Sequence, residues 1–189
     1  MVRINLETEI NAPLERVFDL SRSIDLHTAS TDFTGEEAIA GITSGRIGPG
    51  EKVTWKGRHF GVKVKHTSLI TAYQFPTHFQ DSMVQGLFRR FTHDHFFQKT
   101  AAGTLMKDVM EFEAPWGLLG RTAERIVLER HLRQLLLRRN QCIKRVAESD
   151  DWRRYVDPKD MVELFAPLRG LNLDFERDQD ASREKPEID

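Results

Sequence analysis

Phe88-Arg-Arg-Phe91-Thr-His93-Asp-His95-Phe-Phe97-Gln98 and Leu105-Met106-Lys-Asp108-Val-Met110-Glu-Phe112-Glu-Ala114 are two alternating runs, separated by a break at Ala101-Ala-Gly103. Phe91, His93, His95 and Phe97 share one face of the first run. Met106, Asp108, Met110 and Phe112 share one face of the second, the period of paired strands. A short turn centred on Ala101-Ala102 places His95 opposite Asp108 and His93 opposite Met110. Side chains directly opposed on one face come within contact, so a His95–Asp108 hydrogen bond is expected, orienting the imidazole and favouring its charged form.

Working upstream, β-branched and aromatic residues recur in short runs divided by Gly or Pro. Strands are predicted near Glu36–Ala40, Glu51–His59, Val62–Tyr73 and His78–Gln85, with Phe88–Gln98 and Leu105–Ala114 after them. The glycine-rich stretch from Gly41 to Gly50 lacks the Gly-Lys-Ser/Thr ending of a phosphate loop and reads as a connection within the sheet. Val2, Ile4, Leu6, Thr8 and Ile10 alternate with Arg3, Asn5, Glu7 and Glu9, as in an outer strand with one wet face. Asn11-Ala-Pro13 is expected to cap a short helix whose stripe is Leu14, Val17 and Phe18, and a second short helix is expected over Ile24 to Ala29.

Downstream, from about Leu118 to Glu148, no Gly follows Gly120 and no Pro occurs. Ala123, Ile126, Val127, Leu132, Leu135, Leu136, Ile143 and Val146 recur at helical spacing, predicting one helix on the order of 45 Å long. Arg121, Glu124, Glu129, Arg133 and Arg138 would form its solvated face. Six sequential strands with short connections pair as antiparallel neighbours, and only the long helix is large enough to cover their apolar face. The fold class is therefore α+β: a curved antiparallel sheet of about seven strands around a long C-terminal helix, with two short helices after the first strand. A sheet curled around a narrower helix leaves room for a cavity.

The 189 residues, 39% hydrophobic and 30% charged, suffice for one domain. It is expected over residues 1–148, followed by a charged, partly disordered tail over 149–189 in which Met161 to Leu168 could add a helical turn and Arg177 to Asp189 reads as disordered. A net charge of -1 gives no global attraction to nucleic acid or anionic membranes. The single Cys142 reads as a small buried thiol. No charged-then-apolar leader and no run near the roughly 18 apolar residues of a membrane span is present, so a cytoplasmic protein without membrane insertion is expected.

Phe79-Gln-Asp81, Gly86-Leu-Phe88, Phe91, His93, His95, Phe97, Gly103-Thr104, Asp108, Pro115, Gly117 and Leu119-Gly120, with Ile10-Asn-Ala-Pro13 and Val17-Phe18 at the start, resemble the SRPBCC (START-like) superfamily. The similarity runs from about Arg3 to Glu148 and is greatest to a bacterial branch described as ligand-binding or cyclase/dehydrase-like, of unknown role. The resemblance implies a helix-grip fold with an apolar cavity. It implies no reaction, because relatives include carriers, hormone receptors, cyclases and chaperone regulators.

The residues proposed to line that cavity are Trp55, Phe79, Asp81, Met83, Phe91, His93, His95, Met106, Asp108, Met110 and Phe112. Three readings of the His–Asp group stay open: a self-satisfied polar core, the polar end of a ligand cavity, or a catalytic or metal site. His93 and His95 with a nearby Asp could ligate zinc, but Cys ligands and a second His pair are missing, so no metal and no cofactor is expected. His59 and His66 lie on neighbouring runs and could add ligands, but read rather as surface or edge residues. Lys63, Lys65, Arg89, Arg90, Arg138, Arg139, Lys144 and Arg145 read as solvated surface among interspersed acids, not as a nucleic-acid stripe. The expected function is binding of a hydrophobic small molecule. A cyclase- or dehydratase-like enzyme is the alternative, and a protein-interaction module acting through a sheet edge or the tail is the third class.

Overall fold

The computed structural model describes residues 1–113 and 121–155, with side chains along the final helix described from residue 126 onward. Strand β1 (Val2–Ile10) leads into helices α1 (Leu14–Ser21) and α2 (Ile24–Ser30) and a short 3-10 turn (Asp32–Thr34). Strands β2 (Glu37–Gly41), β3 (Lys52–His59), β4 (Val62–Gln74), β5 (His78–Gln85), β6 (Arg90–Thr100) and β7 (Gly103–Glu113) follow, then helix α3 (Arg121–Ala147) and a 3-10 segment (Asp150–Arg154). The strands form one antiparallel sheet in the order β1-β7-β6-β5-β4-β3-β2. The expectations that concern residues 114–120, and those from Met161 onward, lie outside the described residues.

The β6–β7 hairpin has the anticipated register, with His95 opposite Asp108, His93 opposite Met110 and Phe91 opposite Phe112. Elsewhere the alternation is interrupted. A register shift between Ile70 and Ala72 passes the inward role from the even residues of β4 to Tyr73, which packs on the core opposite Phe79. Further shifts lie between Ala38 and Ala40 and between Thr67 and Ser68.

Two apolar clusters form under the sheet. One gathers Ile10, Val17, Phe18, Leu20, Phe79, Phe97, Met106, Ile143 and Val146, and Phe18 meets Tyr73, Phe79 and Phe97 edge-on at 5.2–5.4 Å between ring centroids. Burying such a ring contributes roughly 2–3 kcal/mol. The second gathers Val2, Ile4, Met110, Phe112 and Leu136. Along β7, Met106 belongs to the first cluster and Met110 to the second. Asp108 lies between them on the same face, so a polar layer separates the two apolar ones.

Asn11 does not cap α1. Pro13 occupies the cap position without a side-chain bond, and the Asn11 N–H instead donates to Glu148 Oε1 (2.8 Å), joining the start of the chain to the end of α3. The helix face also differs from the pattern read from its apolar residues. Ile126 and Val127 are exposed, whereas Leu136, Arg139, Asn140, Cys142, Ile143, Val146 and Ala147 are buried. From Leu136 onward α3 packs on the core, while upstream Leu128 and Leu132 are only half-buried against the second cluster. Arg139, read as surface, is buried because its guanidinium Nη2 donates to the Ser21 carbonyl (2.7 Å). Past α3, Trp152 and Tyr155 pack against the first cluster, and the Arg16 guanidinium lies 4.5 Å from the Trp152 ring centroid. Among the described residues no helix is long and apolar enough to cross a membrane.

Candidate ligand cavity

A cavity of about 1220 Å³ opens beneath the sheet, bounded by β1, β3 to β7, α2 and the face of α3 that carries Val127, His131, Leu135 and Arg139. Small-molecule sites usually measure roughly 300–1,000 Å³, so the space is ample for a multi-ring or long-chain compound. Its walls include Val53, Ile70, Met110, Phe112, Leu132 and Leu135. Phe60, Val62, Leu87 and Val127 are both exposed and part of the lining, giving the mouth an apolar rim. Phe60 sits at the β3–β4 turn with φ 52°, beside Gly61 at φ 80°. That left-handed pair matches the twist of a two-residue hairpin, although a bulky residue is rarely accepted there.

Of the eleven residues proposed from sequence, Trp55, Phe79, Asp81, Phe91, His93, His95, Met110 and Phe112 line this cavity. Met106 is instead buried in the first apolar cluster and accepts from the Ser21 hydroxyl through sulfur (3.4 Å). Met83 is half-buried away from the lining, next to the register shift in the β4–β5 pair. Asp108, at 0% exposure, stands behind the imidazoles rather than on the wall.

Asp108 organises the polar layer. Its Oδ2 accepts from Asn140 Nδ2 (2.7 Å) and its Oδ1 from His93 Nε2 (3.0 Å). Arg139 Nη1 approaches Oδ1 to 3.6 Å. His95 Nδ1 lies only 2.7 Å from the same oxygen but out of hydrogen-bonding alignment. The register expected from the hairpin is therefore present, yet the well-formed bond comes from His93, the diagonal neighbour. On the cavity side, Asp81 Oδ2 is 3.3 Å from His95 Nε2 and 3.8 Å from His93 Nδ1, and its Oδ1 accepts from Ser68 Oγ (3.1 Å). His66 Nε2 joins through Ser68 Oγ (3.0 Å), and the Phe79 ring stacks on His95 at 4.2 Å.

Burial alone would raise both carboxyls, but hydrogen bonds and positive charge from the imidazoles outweigh it, holding Asp81 and Asp108 well below the usual carboxylate range. Burial, then the charge of His95, pushes His93 down against the opposing pull of Asp108 and Asp81. Burial likewise lowers His66 and the Arg139 guanidinium.

A second polar group lines the same cavity. Glu36 accepts from His27 Nε2 (3.0 Å) and pairs with His59 Nε2 (3.1 Å), and His59 Nδ1 is 3.2 Å from His131 Nε2. Burial would raise Glu36, yet the bonds from His27 and His59 hold it far below its ordinary value. His131 is lowered by burial and by the charge of His59. His59 and His66 are thus not surface histidines: both line the cavity. His59 shares the odd-numbered face of β3 with Val53 and Trp55, so the alternation of that run was the signal that could have found it.

No protein-family model and no curated protein matches the sequence. Solved structures do match. A Thermus thermophilus protein, TTHA0849, superposes with a TM-score of 0.60 at 18% identity, over 75% of this chain and 97% of that one. Ginseng major latex-like protein 151 from Panax ginseng gives 0.57 at 13% identity, over 78% and 98% of the two chains. Ara h 8.0201 gives 0.51 at 12%, over 75% and 97%. The chain has the helix-grip α+β fold. At these identities the similarity concerns the fold alone, and in this helix-grip chain the grip encloses two His–carboxylate groups facing one apolar space.

Proposed function

We propose that this chain binds a hydrophobic small molecule in the cavity between the sheet and α3, with a polar group of that molecule directed at Asp81, His93 and His95. The observation carrying this reading is a cavity of about 1220 Å³ whose lining combines an apolar wall with those three side chains. Met110 and Leu132 offer adaptable apolar surface, while the polar layer offers donors and acceptors to a carboxyl, hydroxyl or carbonyl. The exposed rim of Phe60, Val62, Leu87 and Val127 supplies an apolar entrance. The binding module is assigned to residues 1–148 of a cytoplasmic protein that engages neither nucleic acid nor the membrane interior.

Titration with the apolar dye 1-anilinonaphthalene-8-sulfonate tests the reading. Saturable binding of one dye per chain, displaced by long-chain or polycyclic compounds, is the expected result. Absence of saturable binding overturns it and favours a protein-interaction role.

A further inference from the structure

We propose that Asp81, His93 and His95 form a binding site for a divalent transition-metal ion of the zinc type. The spacing of residues in the sequence offers only the two histidines of β6. The third ligand comes from β5, where Asp81 pairs directly with His93 and Phe79 with His95. Among the described residues, these three bring one donor atom each to within 4.8 Å of one another. Two ligands held about 2.0–2.1 Å from a tetrahedral ion stand roughly 3.4 Å apart. The present separations from Asp81 Oδ2, 3.3 Å to His95 Nε2 and 3.8 Å to His93 Nδ1, lie close to that figure.

The surrounding groups have the arrangement that metal-binding histidines require. A ligating imidazole commonly turns its second nitrogen to a carboxylate, which fixes the tautomer and raises its basicity. Here His93 Nε2 bonds Asp108 Oδ1 at 3.0 Å, and the far nitrogen of His95, Nδ1, stands 2.7 Å from the same oxygen without the alignment of a hydrogen bond. Asp108 is itself held by Asn140 Nδ2 and approached by Arg139. Ser68 occupies the other oxygen of Asp81, leaving Oδ2 to the imidazoles.

Charge points the same way. In the tautomer whose Nε2–H donates to Asp108, the His93 Nδ1 lone pair faces the Asp81 carboxylate. A lone pair facing an anion in a buried layer calls for a cation between them. Arg139 approaches the layer from the Asp108 side, 3.6 Å from Oδ1. Imidazole and carboxylate donors suit first-row divalent ions, and two nitrogens with one oxygen leave a further coordination position. Asp81, His93 and His95 all border the cavity, so that position faces the space a small molecule would enter. The proposal stands independently of apolar-ligand binding.

The test uses the full chain, treated with EDTA, dialysed and titrated with zinc chloride by calorimetry at pH 7.5, with imidazole ¹⁵N spectra recorded on the same samples. One zinc per chain is expected, with displaced resonances for His93 Nδ1 and His95 Nε2 and little change at His27 and His78. Asp81→Asn and His93→Gln should each weaken zinc binding at least tenfold. The wild-type spectra decide the matter if either variant fails to fold. No zinc uptake, uptake that displaces His59 and His131 instead, or undiminished uptake in both folded variants overturns the proposal. Dye binding to the zinc-free protein is scored separately, so a failed metal site and a failed cavity give different results.

Discussion

Replacing Asp108 by Asn keeps its shape and removes its charge. The carboxylate is fully buried and accepts from Asn140 Nδ2 at 2.7 Å and His93 Nε2 at 3.0 Å, with Arg139 Nη1 at 3.6 Å. Hydrogen bonds to a charged group contribute about 1.5–3 kcal/mol each, and removing one member of a buried ion pair costs about 3–5 kcal/mol. Asn retains one acceptor oxygen and leaves no void, so the two effects overlap and a net loss of about 3–4 kcal/mol is expected. For a domain of this size that lowers Tm by roughly 10 °C. Urea unfolding at pH 7.5 measures the loss, with an unchanged m-value excluding a change in compactness. A cycle with Arg139→Met isolates the pair: the double variant should lose less than the sum of the single ones, by about 1–3 kcal/mol. A loss below about 1 kcal/mol together with an additive cycle would refute the claim that Asp108 anchors the layer.

Stability should also fall as pH is lowered from 7.5 to 5.5. His66 and His93 have depressed folded values, so near the ordinary imidazole value of about 6.5 the unfolded chain takes up protons that the folded chain does not. Folding is therefore disfavoured progressively below that pH, and His93→Gln should flatten the dependence; a urea midpoint that stays level or rises on acidification contradicts it. The depressed Asp81 and Asp108 act separately, their contribution being present above the ordinary carboxylate value and lost only as pH falls toward their lower folded values. Leu135 is half-buried on the cavity wall, so Leu135→Glu places a charge in the path of an apolar ligand. It should weaken dye binding at least tenfold in a fluorescence titration while the far-UV spectrum is retained, and unaltered affinity would place the dye elsewhere.

The topology and the β6–β7 register follow from features the chain displays locally: period-two alternation, a tight turn and a helix free of Gly and Pro. What lay beyond sequence was set by contacts between distant segments. The register shift near Thr71 moves Tyr73 inward, and no residue there advertises a bulge. Arg139 resembles its neighbour Arg138, and only the Ser21 carbonyl arriving from α1 makes it a buried group. Asn140 reads as an ordinary polar helix residue until Asp108 and Thr8 meet its amide. The Glu36–His59–His131 chain joins residues from opposite sides of the cavity. His59 alone carried a readable signal, its parity with Trp55. Asp81 shares the odd-numbered face of its strand with Phe79, a parity visible in the sequence, but its approach to two imidazoles depends on pairing between β5 and β6.

Occupancy of the cavity can be read from methionine methyl groups. Met110 lines the wall, whereas Met106 is packed in the first apolar cluster and Met83 lies off the lining. In a ¹³C-methyl-methionine sample titrated with 1-anilinonaphthalene-8-sulfonate, ring currents from dye seated between sheet and helix should shift Met110 and leave Met106 and Met83 nearly unmoved. Saturable dye binding that shifts Met83 or Met106 while Met110 stays fixed would contradict a ligand site in this cavity.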